Sequence, residues 1–320
     1  MKGTLIVSLD FELFWGMLDC CTLEEYKANV LGGREAIPRL LALFEKYDIH
    51  ATWATVGFLF AEGREELKHY FPGEQPSYEN NAVSPYSRMT GLSGEEECFF
   101  APGLIPLIAG TPGQEIASHT FSHYYCREKG QTPEQFRQDM AAAKAIARDK
   151  GYCLRSVVLP RNQCEPEYTE VLKSLGFTAY RDEENDWIHR KIKFRPLLRL
   201  LRLADVYLPL TGQGGYRPRK EGSIWNLTGS RMYKPILKPL AFLEPLKLLR
   251  IKRQMRHAAK HGLTFHLWWH PHNIGVQTDA HLKQLEEIFA YHHRLRQKYG
   301  MVSRNMAETA REEEEAWKQS

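Results

Sequence analysis

The chain's 320 residues can bury a large core, and 43% apolar with 26% charged content is ordinary for a globular protein. No apolar run approaches the roughly 20 residues that span a bilayer, which excludes a membrane-spanning helical class. The six cysteines lack C-x-x-C spacing, and Cys20 and Cys21 are neighbours, which argues against a disulfide scaffold and for a reducing cytoplasm. The start, "MKGTLIVSLDFELFWG", has no separate basic, apolar and cleavage regions, so no signal peptide is expected. The net charge of +4 conceals a segregation. Residues 190–260 hold 18 Lys and Arg against Asp205, Glu221 and Glu244, a net +15, while the remainder, with 25 basic and 36 acidic residues, is −11. Such a segment points to a surface that meets phosphate, in lipid headgroups or in nucleic acid.

In chain order, "GTLIVSLDFELF" reads as a buried strand. Gly32-Gly33 precede "REAIPRLLALFEKYDI", whose apolar positions 37, 40, 41 and 44 have helical spacing. "HATWATVGFLF" reads as the next strand, followed by an insertion rich in Gly, Pro, Ser and Asn over about 71–95. "GLIPLIAG" and "QEIASHTFSH" give a short helix and a strand. A helix then starts at Thr132 as N-cap, with Pro133 and Glu134 in its first turn. "LRSVVLPRNQ" is a strand, "PEYTEVLKSLG" a helix, and "GLTFHLWWHPHNIG" another apolar strand with a polar end. The tail "RNMAETAREEEEAWKQS" reads as an exposed acidic helix or frayed end. Strands alternating with helices predict parallel strands covered by helices, a barrel or an open sheet, in one catalytic domain over 1–320 with a basic, apolar excursion near 190–260.

In either architecture polar residues at strand C-terminal ends build the site. Those ends deliver Asp10 and Glu12, His119 and His123, Arg161 and Asn162, and His270 and His272. The spacing of His119 and His123 suits two nitrogens sharing an ion on one side of a helical turn, although 13 histidines make the spacing a chance occurrence too. With a carboxylate on a neighbouring strand end, the pair becomes the donor set of a catalytic metal site.

The order "SLDFE" (8–12), "SHTFSH" (118–123), "LPRNQ" (159–163), "DW" (186–187) and "LWWHPH" (267–272) resembles the polysaccharide deacetylase family, carbohydrate esterases with a NodB-type homology domain. The resemblance implies a distorted parallel (β/α) barrel and metal-dependent removal of an N-acyl (acetyl) group from a sugar, hydrolysis of a non-peptide C–N bond. By position it implies Glu12, His119 and His123 as ligands of a divalent metal, Zn2+ foremost. Asp10 is then the base, Arg161 the residue that orients it, and His270 the acid that protonates the departing amine, held by Asp186. Tyr124, Asn162, Trp187 and Trp269 are candidate substrate contacts.

The sequence departs from the family pattern in two places. The adjacent aspartates of its first motif are here Asp10-Phe11-Glu12, so Asp10 as ligand with Glu12 as base stays open. Arg161 follows its proline instead of preceding one. His272 shares a face with His270 and is a second candidate acid. Large aromatics such as Tyr125 and Trp268 suit a sugar-stacking wall, but such residues are usually core. The expected substrate is a cytoplasmic or lipid-linked N-acylated glycan intermediate, with peripheral contact to an anionic membrane through 190–260. A related cyclic imide or amide hydrolase, a deformylase and an inactive glycan-binding barrel are the alternatives. No nucleic-acid reading module is recognisable, so no nucleic-acid partner is expected.

Overall fold

The computed structural model describes residues 2–89, 95–183, 187–192 and 194–319. Its strands are β1 (Thr4–Phe11), β2 (Ala51–Thr55), β3 (Gln114–Ser118), β4 (Ser156–Val158), β5 (Ala179–Arg181), β6 (Arg219–Glu221), β7 (Ile224–Asn226), β8 (Arg231–Met232), β9 (Thr264–Trp269) and β10 (Val302–Ser303). The helices are α1 (Leu23–Tyr47), α2 (Arg64–Lys68), α3 (Pro85–Arg88), α4 (Leu104–Gly110), α5 (Pro133–Asp149) and α6 (Pro166–Ser174). They continue as α7 (Trp187–Lys191), α8 (Arg195–Tyr207), α9 (Glu244–His261), α10 (Thr278–Tyr299) and α11 (Met306–Lys318).

The strands form one sheet in the order β6-β7-β5-β4-β3-β2-β1-β9-β8, with β10 pairing β1, and every pairing is parallel except β6 with β7. The sheet curls because one segment serves both of its ends. The amides of Leu227 and Gly229 donate to carbonyls of Tyr180 and Asp182, and those of Ser230 and Tyr233 donate to carbonyls of His266 and Trp268. The result is a mostly parallel sheet curled into a distorted barrel whose seam is a stretch of chain, the form the family resemblance implies, where alternation alone left a barrel or an open sheet.

Strand alternation sorts the side chains into two shells. Leu5, Val7, Leu9 and Phe11 of β1 and Phe265, Leu267 and Trp269 of β9 point out into the core beneath the helices. Ile6, Ala54, Val158, Ala179 and Trp225 point inward and form an apolar floor. Met306 and Ala310 of α11 join that floor. The tail expected to be exposed or frayed is therefore a stopper under the barrel. It is started by a capping box between Asn305 and Glu308 and anchored by Glu314, which pairs with Lys220.

Helix α1 begins eleven residues before the expected start and runs through Gly32-Gly33. A capping box of Thr22 and Glu25 nucleates it. The glycines serve close approach, not a turn: a Cβ on Gly32 would lie 2.0 Å from the Gly275 carbonyl oxygen, and one on Gly33 would lie 2.8 Å from the His272 Cα. The segment carrying His270 and His272 thus rests directly on the α1 backbone.

The +15 segment is less exposed than its sequence suggests. Arg231 and Arg250 are buried against Asp205 at 2.9 and 2.7 Å, and Lys247 is buried against Glu244 at 2.5 Å. Asp205 also accepts from the Thr211 amide (2.7 Å) and hydroxyl (2.9 Å), tying α8, β8 and α9 together. Removing the shared acid leaves two guanidinium groups buried without their counter-charge. Asp205→Ala is expected to cost about 3–5 kcal/mol of stability, read as a lower denaturant midpoint at unchanged m-value.

Candidate active site

Inward-facing positions above the floor are polar. Ser8 and Asp10 follow Ile6 on β1, and Glu12 extends the alternation past the strand end. Opposite them, β3 ends at Ser118 and hands the chain to His119, whose amide still donates to the Thr55 carbonyl at 2.9 Å. Residues 119–126 are then irregular, with Thr120 and His123 in the left-handed region at φ 64° and 57°. This bend brings the two imidazoles together; the helical turn considered for the pair is not what forms.

Glu12 Oε2 lies 3.1 Å from His119 Nε2 and 2.9 Å from His123 Nε2. The three side chains are buried, with exposures of 3%, 1% and 4%, and their donor atoms lie within 4.8 Å of one another. His119 Nδ1 donates to the Val158 carbonyl at 2.8 Å, so once the ring is neutral, as a metal ligand must be, Nε2 is the nitrogen left with a lone pair. Donors about 2.1 Å from one tetrahedral ion stand roughly 3.4 Å apart, and a carboxylate with two imidazoles is a zinc-type donor set. These residues fit a divalent metal. Burial alone would raise the Glu12 carboxyl, yet the charges of His270 and His123, with hydrogen bonds from His119 and His123, hold it well below the usual carboxylate range. Burial draws His123 below the ordinary imidazole value, toward the neutral form that a ligand needs.

Asp10 sits one step deeper, gripped by Arg181 at the end of β5. The two guanidinium nitrogens Nη1 and Nη2 reach its oxygens at 2.8 and 2.7 Å. Nη1 also donates to Ser8 Oγ (2.8 Å), and Nε donates to Asn162 Oδ1 (2.9 Å). The Trp268 ring lies 4.2 Å from the guanidinium carbon. Burial pushes the Asp10 carboxyl up, and the charges of Arg181, His270 and His119 more than reverse this, holding it ionised below its ordinary value. His270 Nε2 lies 3.6 Å from both Asp10 Oδ2 and Glu12 Oε1, and its ring stacks on that of His272 at 5.0 Å. His270 is 19% exposed at the opening, whereas His272 is buried. The arrangement combines a triad that could hold an ion, an ionised carboxylate beside it and a part-exposed imidazole, a set suited to hydrolysis of an amide or ester.

The family model described as polysaccharide deacetylase matches residues 27–180. Residues 27–180 belong to the polysaccharide deacetylase family. That stretch holds His119 and His123, while Asp10, Glu12, Arg181 and His270 come from either side of it. Among solved structures, a Mycobacterium smegmatis protein described as a candidate polysaccharide deacetylase superposes with a TM-score of 0.59 at 12% identity, over 97% of this chain and 90% of its own. A Pseudomonas aeruginosa PAO1 protein described as a probable polysaccharide deacetylase and the PuuE allantoinase each give a TM-score of 0.57 at 13% identity, over 96% of this chain and 89% of theirs. At these identities the likeness is one of fold.

Several residues expected at the deacetylase-type site lie elsewhere. Arg161 does not reach Asp10: it pairs with Asp19 and Glu128 and stacks over Tyr125, with Arg181 in the place expected for it. Tyr124 is fully buried, its hydroxyl donating to Gln131 Oε1 and the Thr132 carbonyl at the start of α5. Trp269 points outward into the core against Phe44 and Tyr233; its neighbour Trp268 faces the interior. Trp187 is 38% exposed and donates to the Leu210 carbonyl. Asn162 reaches the site through Arg181. Asp186 lies outside the described residues. Arg181 escaped the sequence reading although it carries a signal: an arginine ending the apolar run "FTAYR" sits at an inward strand position.

The histidine loop is held from behind by Asp139 of α5. Its carboxylate accepts from the Phe121 amide (2.8 Å), the Ser122 amide (3.2 Å) and the Ser122 hydroxyl. Burial pushes this carboxyl from 3.8 up to about 7, against the pull of those hydrogen bonds. A raised carboxyl contributes stability that is complete below its unfolded value and lost as pH climbs through its folded value. Asp139→Asn removes this titration, so the stability gap between wild type and variant should narrow from pH 3.8 to about 7. Denaturant midpoints measured across that interval check it; a gap that widens would contradict the burial effect.

Proposed function

We propose that the protein is a metal-dependent hydrolase that removes an N-acyl group, acetyl in the first instance, from a sugar in a cytoplasmic or lipid-linked glycan intermediate. The observation that carries this reading is the convergence of Glu12, His119 and His123 within 3.1 Å contacts beside an ionised Asp10. Membership of residues 27–180 in the polysaccharide deacetylase family supplies the substrate class.

A Zn2+-class ion held by the triad would polarise the amide carbonyl and acidify water at the site. Asp10 accepts the proton of the attacking water, and Arg181 fixes both of its oxygens so that the free lone pairs face the opening. Its low pKa favours a base that is charged and in place before substrate arrives. His270 stands 3.6 Å from Asp10, close enough to receive that proton and pass it to the departing sugar amine. Asn273 Nδ2 lies 3.1 Å from His270 Nδ1 and orients the ring. Trp268, flush with Arg181 and 5.7 Å from His270, is the aromatic best set to bound the sugar.

Acetate and formate release from a panel of N-acyl sugars, nucleotide sugars and lipid-linked sugars tests the reading, with cyclic imides as the contrasting substrates. The purified chain should hold about one divalent ion, as a three-ligand site implies. His119→Ala should lose ion and activity together, and chelation should abolish turnover reversibly. Full activity in the metal-free protein would refute the metal role.

Asp10→Asn should keep its ion while turnover falls by about two orders of magnitude or more, the scale of a lost general base. Glu12→Ala should lose the ion itself. Metal analysis of the two variants discriminates, and the opposite pattern would exchange their roles.

A further inference from the structure

Large apolar side chains at the surface are unremarkable singly, but a cluster marks a binding face. Of the thirteen such side chains exposed among the described residues, ten lie between Trp187 and Leu249. The most exposed are Phe242 (76%), Phe194 (69%) and Leu200 (62%). Apart from Trp187 on α7, the ten sit on or directly beside three pieces: α8, the 3-10 turn Lys238–Leu243, and the first turns of α9. Prolines 196, 209, 235, 239 and 245 keep these pieces short. No described helix is long and apolar enough to cross a membrane.

The polar complement of this face is one-sided. Three acids occur from 187 to 260: Asp205 and Glu244 are buried, and Glu221 accepts from Tyr180 and Asn226. Lys191, Arg199, Arg202, Lys238 and Arg253 are exposed. A groove of about 310 Å³ runs between α8 and the chain after β8, its walls Leu203, Val206, Tyr207 and Leu237 and its cations Arg199, Arg202 and Lys234. Nucleic acid would use the cations and leave the leucines and phenylalanines wet. A protein partner would have to match apolar ridges with acidic side chains at each cation. An anionic lipid surface meets both demands at once, taking Leu and Phe among its acyl chains and Arg and Lys among its phosphates.

We propose that α8, the 238–243 turn and the start of α9 form a docking face for the surface of an anionic phospholipid bilayer. Its approach fixes the orientation of the barrel. Trp187 follows the C-terminal end of β5, and the 234–243 stretch follows that of β8. Glu12, His119 and His270 follow the same ends of β1, β3 and β9. The mouth of the site therefore opens on the end of the barrel that carries the docking face, where a membrane-borne sugar headgroup is presented. Docking does not depend on the catalytic reading, because it is scored without turnover.

The test is co-sedimentation of the full chain with phosphatidylcholine vesicles and with vesicles containing phosphatidylglycerol. Binding should require the anionic lipid and weaken with salt, since the screening length falls to about 3 Å at 1 M, with an apolar remainder that resists salt. Arg199→Ala with Arg202→Ala should lower the partition coefficient roughly 30-fold, about fivefold for each cation. Leu200→Ser with Phe242→Ser should remove the salt-resistant part, with unchanged circular dichroism. Arg294→Ala with Lys298→Ala on α10 removes equal charge elsewhere and should bind like wild type. Equal recovery on both vesicle types, equal loss in the α10 variant, competition by a DNA duplex at equal charge, or a dimer in light scattering that the Leu200 and Phe242 changes dissolve would each overturn the proposal. Acetate release fails or survives separately from all of these outcomes.

Discussion

The buried pair of Asp10 and Arg181 governs the interior of the barrel. Asp10 and Glu12 stand two positions apart on the same side of one strand, and both are almost fully buried. Two carboxylates so placed cannot both stay ionised in a dry interior unless each has a cation, because the charged form of either is otherwise penalised twice, by burial and by its neighbour. Arg181 supplies a permanent cation to one of them, bidentate and unable to deprotonate. Glu12 is left to the imidazoles and to whatever ion they hold. The strand thus presents one carboxylate with a fixed partner and one without, which supports the proposal of Asp10 as base and Glu12 as ligand.

The layer beneath serves that pair. Ser8 Oγ lies 2.7 Å from His266 Nε2 and receives Arg181 from the other side. His266 Nδ1 reaches the Leu227 carbonyl at 3.0 Å, which makes Nδ1 the protonated nitrogen and Nε2 the acceptor of the Ser8 hydroxyl. Burial and the Arg181 charge push this histidine down to about 3, so it remains neutral next to the guanidinium. Below it the side chains are apolar and closed off by Met306 and Ala310. Polarity therefore rises step by step from floor to mouth, and the charged groups meet water only at the exit beside His270.

The alternation of strands and helices was legible because apolar runs of fixed length, ended by polar residues, are what a parallel barrel imposes. Glu12 and His119 were legible for the same reason, each lying just past a strand end, whereas His123 was legible through its spacing from His119 and the family resemblance. What periodicity cannot register is which residue crosses the barrel. Arg181 ends β5 and is carried in by it, whereas Arg161 lies in the turn three residues past β4, where left-handed backbone at Arg161 and Asn162 turns it outward. Trp268 and Trp269 differ by one position and so face opposite shells, a distinction that depends on register. The tail looked solvent-exposed because its charges outnumber its apolar residues, yet Met306, Thr309 and Ala310 at helical spacing suffice to seat it. The basic segment misled in the other direction, since a count of charges cannot tell Arg231 and Arg250, buried on Asp205, from Arg199 and Arg202 at the surface.

The contact of Gly32 and Gly33 with the chain at 272–275 links the two extremes of the sequence. A side chain at either glycine, or at Gly275, whose Cβ would lie 2.0 Å from the Asn29 carbonyl, has no room unless the loop bearing His270 lifts away. The triad and the Asp10–Arg181 pair lie on other segments, so the group such a change would displace first is His270, the proposed proton donor. Loss of turnover in a random library would accordingly map to a helix that supplies none of the triad, and a chemist reading that map would infer a remote control element where there is a spacer whose thickness is one hydrogen atom.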